Sequence, residues 1–193
     1  MLNSRQRAEL LRLAREAMTA AVRGQKPPPA QVEDPILQTP AGAFVTLHKR
    51  GRLRGCIGQI EARDPLWKTV ASTAVSSALH DYRFDPLQPE EVAEVELQVS
   101  VLTPPQRVED LSTIEVGRHG LIVEQSGQRG LLLPQVATEW GWDREQFLSH
   151  TCEKAGLPPD AWRRGATVYA FTAEVFEEGD PSGREESAGA ATN

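Results

Sequence analysis

Apolar positions along the chain change their period several times, and each change marks an element. From Ser4 to about Val22, Leu10, Leu13, Ala14, Ala17, Met18 and Ala21 recur at helical spacing, with Asn3 or Ser4 placed to cap the first turn. Arg23 to Pro40 carries Pro27-Pro28-Pro29 and Pro35. Proline fixes φ and removes a donor, so an extended crossing is expected there. Residues 42 to 49 read as a strand, Arg50-Gly51 as a hairpin turn, and Arg52 onward as the returning strand. Asp64-Pro65 announces a helix that shows Leu66, Val70, Ala74 and Ala78 on one face.

The period breaks at His80-Asp81-Tyr82-Arg83-Phe84-Asp85-Pro86-Leu87, a polar and aromatic loop. A short turn is expected at Pro89 to Val92. Strict alternation follows from Glu94 to Val101, with Val95, Leu97, Val99 and Val101 apolar, which describes a strand with one wet face. Residues 120 to 124 and 130 to 133 form a second hairpin, with a short helix starting at Pro134. Asp143 and Gln146 make a capping box for a helix that buries Phe147, Leu148, Thr151, Cys152 and Ala155, closed by Gly156-Leu157. Asp160 is expected to cap one more turn, through Trp162. Thr167 to Val175 is read as the last strand. Residues 179 to 193 are rich in Gly, Ser, Glu and Ala and are expected to form a disordered tail.

Hairpins and separate helices predict an α+β fold with antiparallel sheet. Strand-like segments 44–59, 94–103 and 167–176 form one group and the 114–134 hairpin another. Residues 1–178 are therefore expected to form a two-lobed domain with a groove between the lobes, and the second, hairpin-bearing lobe is the smaller. Grooves of that kind are common binding sites.

Composition narrows the classes. The chain has 193 residues, 39% hydrophobic and 25% charged, with a net charge of −6. Scattered basic residues and an acidic balance argue against nucleic-acid binding. The sequence has neither a long apolar span nor the apolar core of a signal peptide, so a cytoplasmic protein is expected. Cys56 and Cys152 stand far apart and the four histidines share no ligand spacing, so neither a disulfide nor a metal site is expected.

Candidate chemistry centres on Leu53-Arg54-Gly55-Cys56-Ile57-Gly58, expected at or just beyond the end of the returning strand, with Thr46 across from it. Gly55 and Gly58 allow close approach of backbone or ligand. Cys56 is either a thiol aimed at a ligand or a small packed hydrophobe. In a regular strand Arg54 would share its face, and a cation beside a thiol suits an anion. Asp81 and Arg83 either bracket a ligand or pair with each other. Gln135 either points its amide into the groove or faces water at a helix start. His80 is a candidate base or a helix-end partner. Cys152 reads as core. Lys154 reads as a helix-end cation, and Trp140, Trp142 and Trp162 as packing or groove walls.

Phe44-Val45-Thr46-Leu47 followed by that hexapeptide resembles the signature of the AMMECR domain family. Asp81-Tyr82-Arg83-Phe84, Gly130 to Ala137, and Cys152 to Leu157 with Trp162 extend the likeness over roughly residues 5 to 177. Tyr82 departs from it, since proline stands there in many members. The resemblance implies a two-lobed α+β fold and kinship with AmmeMemoRadiSam system protein A, which is associated with a Memo-type protein and a radical-SAM protein. With the residue readings above, it makes Cys56 the candidate catalytic residue, and Thr46, Arg54, Gly55, Gly58, Asp81, Arg83, Phe84 and Gln135 the candidate substrate contacts. It supplies no reaction and no cofactor. The expected function is binding or processing a small metabolite. The alternative is an adaptor that uses the same groove, and a nucleic-acid role ranks last.

Overall fold

The computed structural model describes residues 1–184. In chain order its elements are α1 (Ser4–Val22), α2 (Pro35–Gln38), β1 (Ala43–Lys49), β2 (Arg52–Gln59), α3 (Leu66–Leu79), β3 (Val95–Leu102), β4 (Gln106–Arg107), β5 (Gly120–Gln125), β6 (Gln128–Leu132), α4 (Pro134–Glu139), α5 (Arg144–Lys154), β7 (Thr167–Phe171), β8 (Ala173–Glu177) and β9 (Asp180–Arg184). Single 3-10 turns stand at Pro89–Glu91, Leu111–Thr113 and Ala161–Arg163. The fold is α+β, and the chain divides into two compact units.

The first unit holds Met1–Leu102 and the described residues from Glu174 onward. Its sheet runs β2-β1-β3-β8-β9, with β1 antiparallel to both neighbours. Helices α1 and α3 pack together and against this sheet. The alternation of β3 places Val95, Leu97, Val99 and Val101 in the core beside Val45 and Leu47 of β1. Leu10, Met18, Val70 and Ala74 meet them from the helices. Helix α1 starts where its sequence asks. Asn3 Oδ1 accepts from Gln6 N–H and Gln6 Oε1 accepts from Asn3 N–H, both at 2.9 Å. Arg7 binds Glu174 at 2.7 Å and Arg15 binds Glu178, tying α1 to the returning chain.

The second unit holds Thr103–Ala173, with sheet order β4-β7-β5-β6. Leu121 and Val123 of β5, Val168 of β7, and Phe147, Leu148 and Cys152 of α5 make its core. The Asp143–Gln146 capping box forms as its sequence predicts, and Leu157 N–H returns to Cys152 C=O at 2.9 Å across Gly156 at φ 75°.

Several expectations are corrected. Thr167 to Val175 is not one strand. It breaks at Thr172, β7 joining the second sheet and β8 the first. Thr172 lies outside both strands, its N–H donating to Thr103 Oγ1 and its carbonyl accepting from Thr103 N–H, both at 2.9 Å. The extended crossing contains one helical turn, α2, whose N-cap Asp34 accepts from Ile36 N–H at 2.8 Å. Asp64 does not cap α3, which begins after Pro65 without a side-chain cap. Asp160 likewise makes no side-chain cap to the turn after it. Asp180–Arg184 is a strand paired with β8, where a disordered tail was expected from 179. Residues 185–193 of that tail lie outside the described residues. Among the described residues no helix is long and apolar enough to cross a membrane.

Candidate functional site

The hexapeptide lies within β2, not beyond its end, and β2 is the edge strand of the first sheet. Arg50 (φ 53°) and Gly51 (φ 73°) form the turn that returns the chain against β1. The register pairs Thr46 with Cys56, Phe44 with Gly58 and Leu47 with Gly55. Pairing then shifts to His48 with Leu53, so Arg54 is the extra residue of a β-bulge.

The glycines have specific causes. A Cβ on Gly55 would lie 2.2 Å from the carbonyl oxygen of Ser77, because the end of α3 presses directly on the strand. A Cβ on Gly58 would strike the Phe44 ring at 2.1 Å. Both glycines therefore admit protein, backbone in one case and an aromatic ring in the other.

An edge strand leaves outward N–H groups without a neighbour. Here a side chain covers the outward amide of Cys56, and at the next residue another side chain bridges the ladder between β2 and β1. Cys56 N–H donates to Asp81 Oδ2 at 2.8 Å. Ile57 N–H donates to Ser77 Oγ at 2.9 Å, and that hydroxyl donates on to Val45 C=O at 2.7 Å. Asp81 is buried, its side chain 2% exposed. It also accepts from Arg83 Nε at 2.9 Å, Arg83 Nη2 at 2.7 Å and Arg83 N–H at 3.2 Å. The Arg83 guanidinium, assisted by the Cys56 and Arg83 amides, holds the Asp81 carboxyl far below the ordinary aspartate range, against the opposing effect of burial. Arg83 Nη2 reaches the Cys56 carbonyl at 3.2 Å, so the loop after α3 grips Cys56 by both backbone groups.

The thiol lies on the opposite pleat from Gly55, on the side of the sheet away from Val45 and Leu47 and their helices. It is half-buried, and Thr46 Oγ1 donates to Sγ at 3.2 Å. Phe44, Thr46, Cys56, Gly58, Gln98 and Ser100 share that face and are all half-buried.

The remaining sequence candidates separate. Arg54 does not stand over the thiol. It grips Glu91 through Nε at 3.2 Å and Nη2 at 2.8 Å and reaches Asp85 C=O at 3.0 Å. The bulge turns it aside, and Arg54, with Lys49, pulls the Glu91 carboxyl down to about 2. Phe84 is half-buried under Arg83, with its ring centroid 5.5 Å from the guanidinium carbon. Gln135 belongs to the second unit, exposed at the start of α4. His80 ends α3 through its backbone, and its imidazole makes no hydrogen bond to the described residues. Cys152 is fully buried, and burial raises its thiol pKa. Among the described residues no cluster of three metal-ligating side chains occurs.

Ser77 and Glu91 escaped the sequence reading. Ser77 interrupts the apolar face of α3 beside Ala74 and Ala78, a signal that was available. Glu91 has one local partner, the Gln88 N–H at 3.0 Å, but Arg54 and Lys49 lie 37 and 42 positions away, where no spacing shows them.

These features define an α+β protein of two sheet-bearing units, with a threonine–cysteine pair on the face of the first unit's sheet opposite α1 and α3. Residues 11–176 match the AMMECR1 family, and the chain belongs to it. A protein of Methanothermobacter thermautotrophicus is 48% identical over 178 residues, covering 88% of this chain and 92% of its own. Protein TK0174 of Thermococcus kodakarensis is 47% identical over 191 residues, covering 90% and 91%. The crystal structure of uncharacterized protein PH0010 from Pyrococcus horikoshii superposes with a TM-score of 0.73 at 45% identity, covering 91% of this chain and 92% of that one.

Proposed function

We propose that this AMMECR1-family chain binds a small metabolite on the face of its first sheet opposite α1 and α3, with the Cys56 thiol as the central contact. One observation carries the reading: a half-buried sulfur receives a hydroxyl hydrogen bond from Thr46 while its backbone is gripped from the other side by Asp81 and Arg83. A sulfur serving only as packing needs neither arrangement. Binding is favoured over turnover, because Sγ has no basic side chain within hydrogen-bond distance among the described residues. The resemblance to AmmeMemoRadiSam system protein A supports a Memo-type protein and a radical-SAM protein as its partners.

The test is retention of small molecules from an ultrafiltered cell extract, read by native mass spectrometry. The wild-type chain is expected to retain a mass that Cys56→Ser and Thr46→Val lose. Retention of the same mass by both variants, or by none of the three proteins, contradicts the proposal.

A further inference from the structure

Two arginines lie near the Cys56 stretch of β2, and their hydrogen bonds distinguish their uses. Arg54 has spent Nε, Nη1 and Nη2 on Glu91 and Asp85, and its side chain is 16% exposed. Lys49 is held by Glu91 at 3.0 Å and Glu94 at 3.5 Å. Both cations are already paired with carboxylates. Arg83 differs. Its Nε and Nη2 are engaged by Asp81 and the Cys56 carbonyl, but Nη1 has no partner among the described residues, and the side chain is 43% exposed. The guanidinium therefore presents one open end at the residue that carries the thiol.

We infer that the ligand of the Cys56 face is a small carboxylate, with one oxygen received by Arg83 Nη1, and that Asp81 is the positioning residue that aims this guanidinium. The inference rests on the reading of Cys56 as a ligand contact. The donor geometry sets the class. A two-pronged grip on a carboxylate or phosphate uses Nη2 with either Nε or Nη1, and both Nη2 hydrogens are spent on Asp81 and the Cys56 carbonyl. What remains is an end-on donor beside a charge already balanced by Asp81, which suits a singly charged oxygen better than a phosphate dianion. Asp81 is fixed by four hydrogen bonds, so the guanidinium does not swing to meet its ligand.

The experiment compares two reagents of nearly equal size. Iodoacetate carries a carboxylate and iodoacetamide is its neutral counterpart. The ratio of their rates at Cys56, normalised to the same ratio for N-acetylcysteine amide, is measured by peptide mass spectrometry in the wild type, Arg83→Gln and Asp81→Asn. The expected normalised ratio is about threefold or more in the wild type, the size of a partly exposed charge interaction. It should fall to about one in Arg83→Gln and to an intermediate value in Asp81→Asn. A wild-type ratio at or below one overturns the inference, as does a ratio unchanged by Arg83→Gln. If Arg83→Gln does not fold, the wild type decides alone. Acetate should then slow iodoacetamide labelling where acetamide at equal concentration does not, and equal effects overturn the inference. Labelling without charge preference removes the carboxylate assignment but leaves the thiol site standing. A native chain that resists both reagents removes both.

Discussion

Replacing Asp81 by alanine removes an acceptor on which four N–H groups converge, and the structure allows its cost to be apportioned. The Cys56 amide loses its 2.8 Å partner on an edge strand where no neighbouring strand replaces it. An orphaned donor of this kind costs about 1–3 kcal/mol. The ion pair with Arg83 adds at most about 1 kcal/mol, because the guanidinium is 43% exposed and solvent screens it. A loss of about 2–4 kcal/mol is expected at neutral pH, read by urea unfolding with an unchanged denaturant slope. Asp81→Asn keeps an oxygen for the Cys56 amide and loses the charge, so it should cost about half as much. The pH dependence follows from the depressed pKa of Asp81. Its contribution is fully present above the unfolded value near 3.8 and is lost as pH falls through the lower folded value. The gap between wild type and Asp81→Asn should therefore close in acid. Asp81→Ala within about 0.5 kcal/mol of wild type would refute the reasoning, since ordinary surface substitutions fall in that range. Equal losses in the two variants would show that charge, not the amide acceptor, carries the effect.

Three further outcomes follow from the same geometry. Gly55→Ala places a methyl group 2.2 Å from a helix backbone oxygen and should destabilise by about 3 kcal/mol in urea unfolding, whereas Gly127→Ala, with nothing within 4 Å, should cost only the roughly 1–2 kcal/mol of its φ of 81°. Glu91→Gln should destabilise at pH 7 and progressively less in acid, because a carboxyl lowered to about 2 contributes above its ordinary 4.5 and loses that contribution as pH falls toward 2; urea midpoints across that window check it. Cys152→Ser buries a hydroxyl in the core of the second unit and should cost about 1–3 kcal/mol, measured by the same assay.

Local signals carried furthest from sequence to structure. The cap of α1, the Asp143 capping box, the Arg50-Gly51 turn and the alternation of β3 depend on neighbours a few residues apart, and all four appear, with Asn3 rather than Ser4 as the cap. The pairing of Thr46 with Cys56 followed from the hairpin. What escaped depends on long-range placement. The bulge that diverts Arg54 arises from ladder register, and its grip on Glu91 spans 37 residues. Asp81 and Arg83 pair with each other, yet the pair also clasps the Cys56 backbone 25 and 27 residues away, which no spacing shows. The switch of sheets at Thr172 was hidden because β7 and β8 both have strand-like composition. Asp34-Pro35 and Asp64-Pro65 look alike in sequence, but only Asp34 caps a helix, so the dipeptide marks a start without fixing its geometry.

The most direct test of the account is the labelling of Cys56 and Cys152 by iodoacetamide in the native chain, resolved by peptide mass spectrometry. Cys56 should react under native conditions, and Cys152, which is fully buried, should react only once the protein unfolds. If Cys56 reacts no sooner than Cys152, its thiol is packing and the face of the first sheet opposite α1 and α3 is not a thiol-centred site.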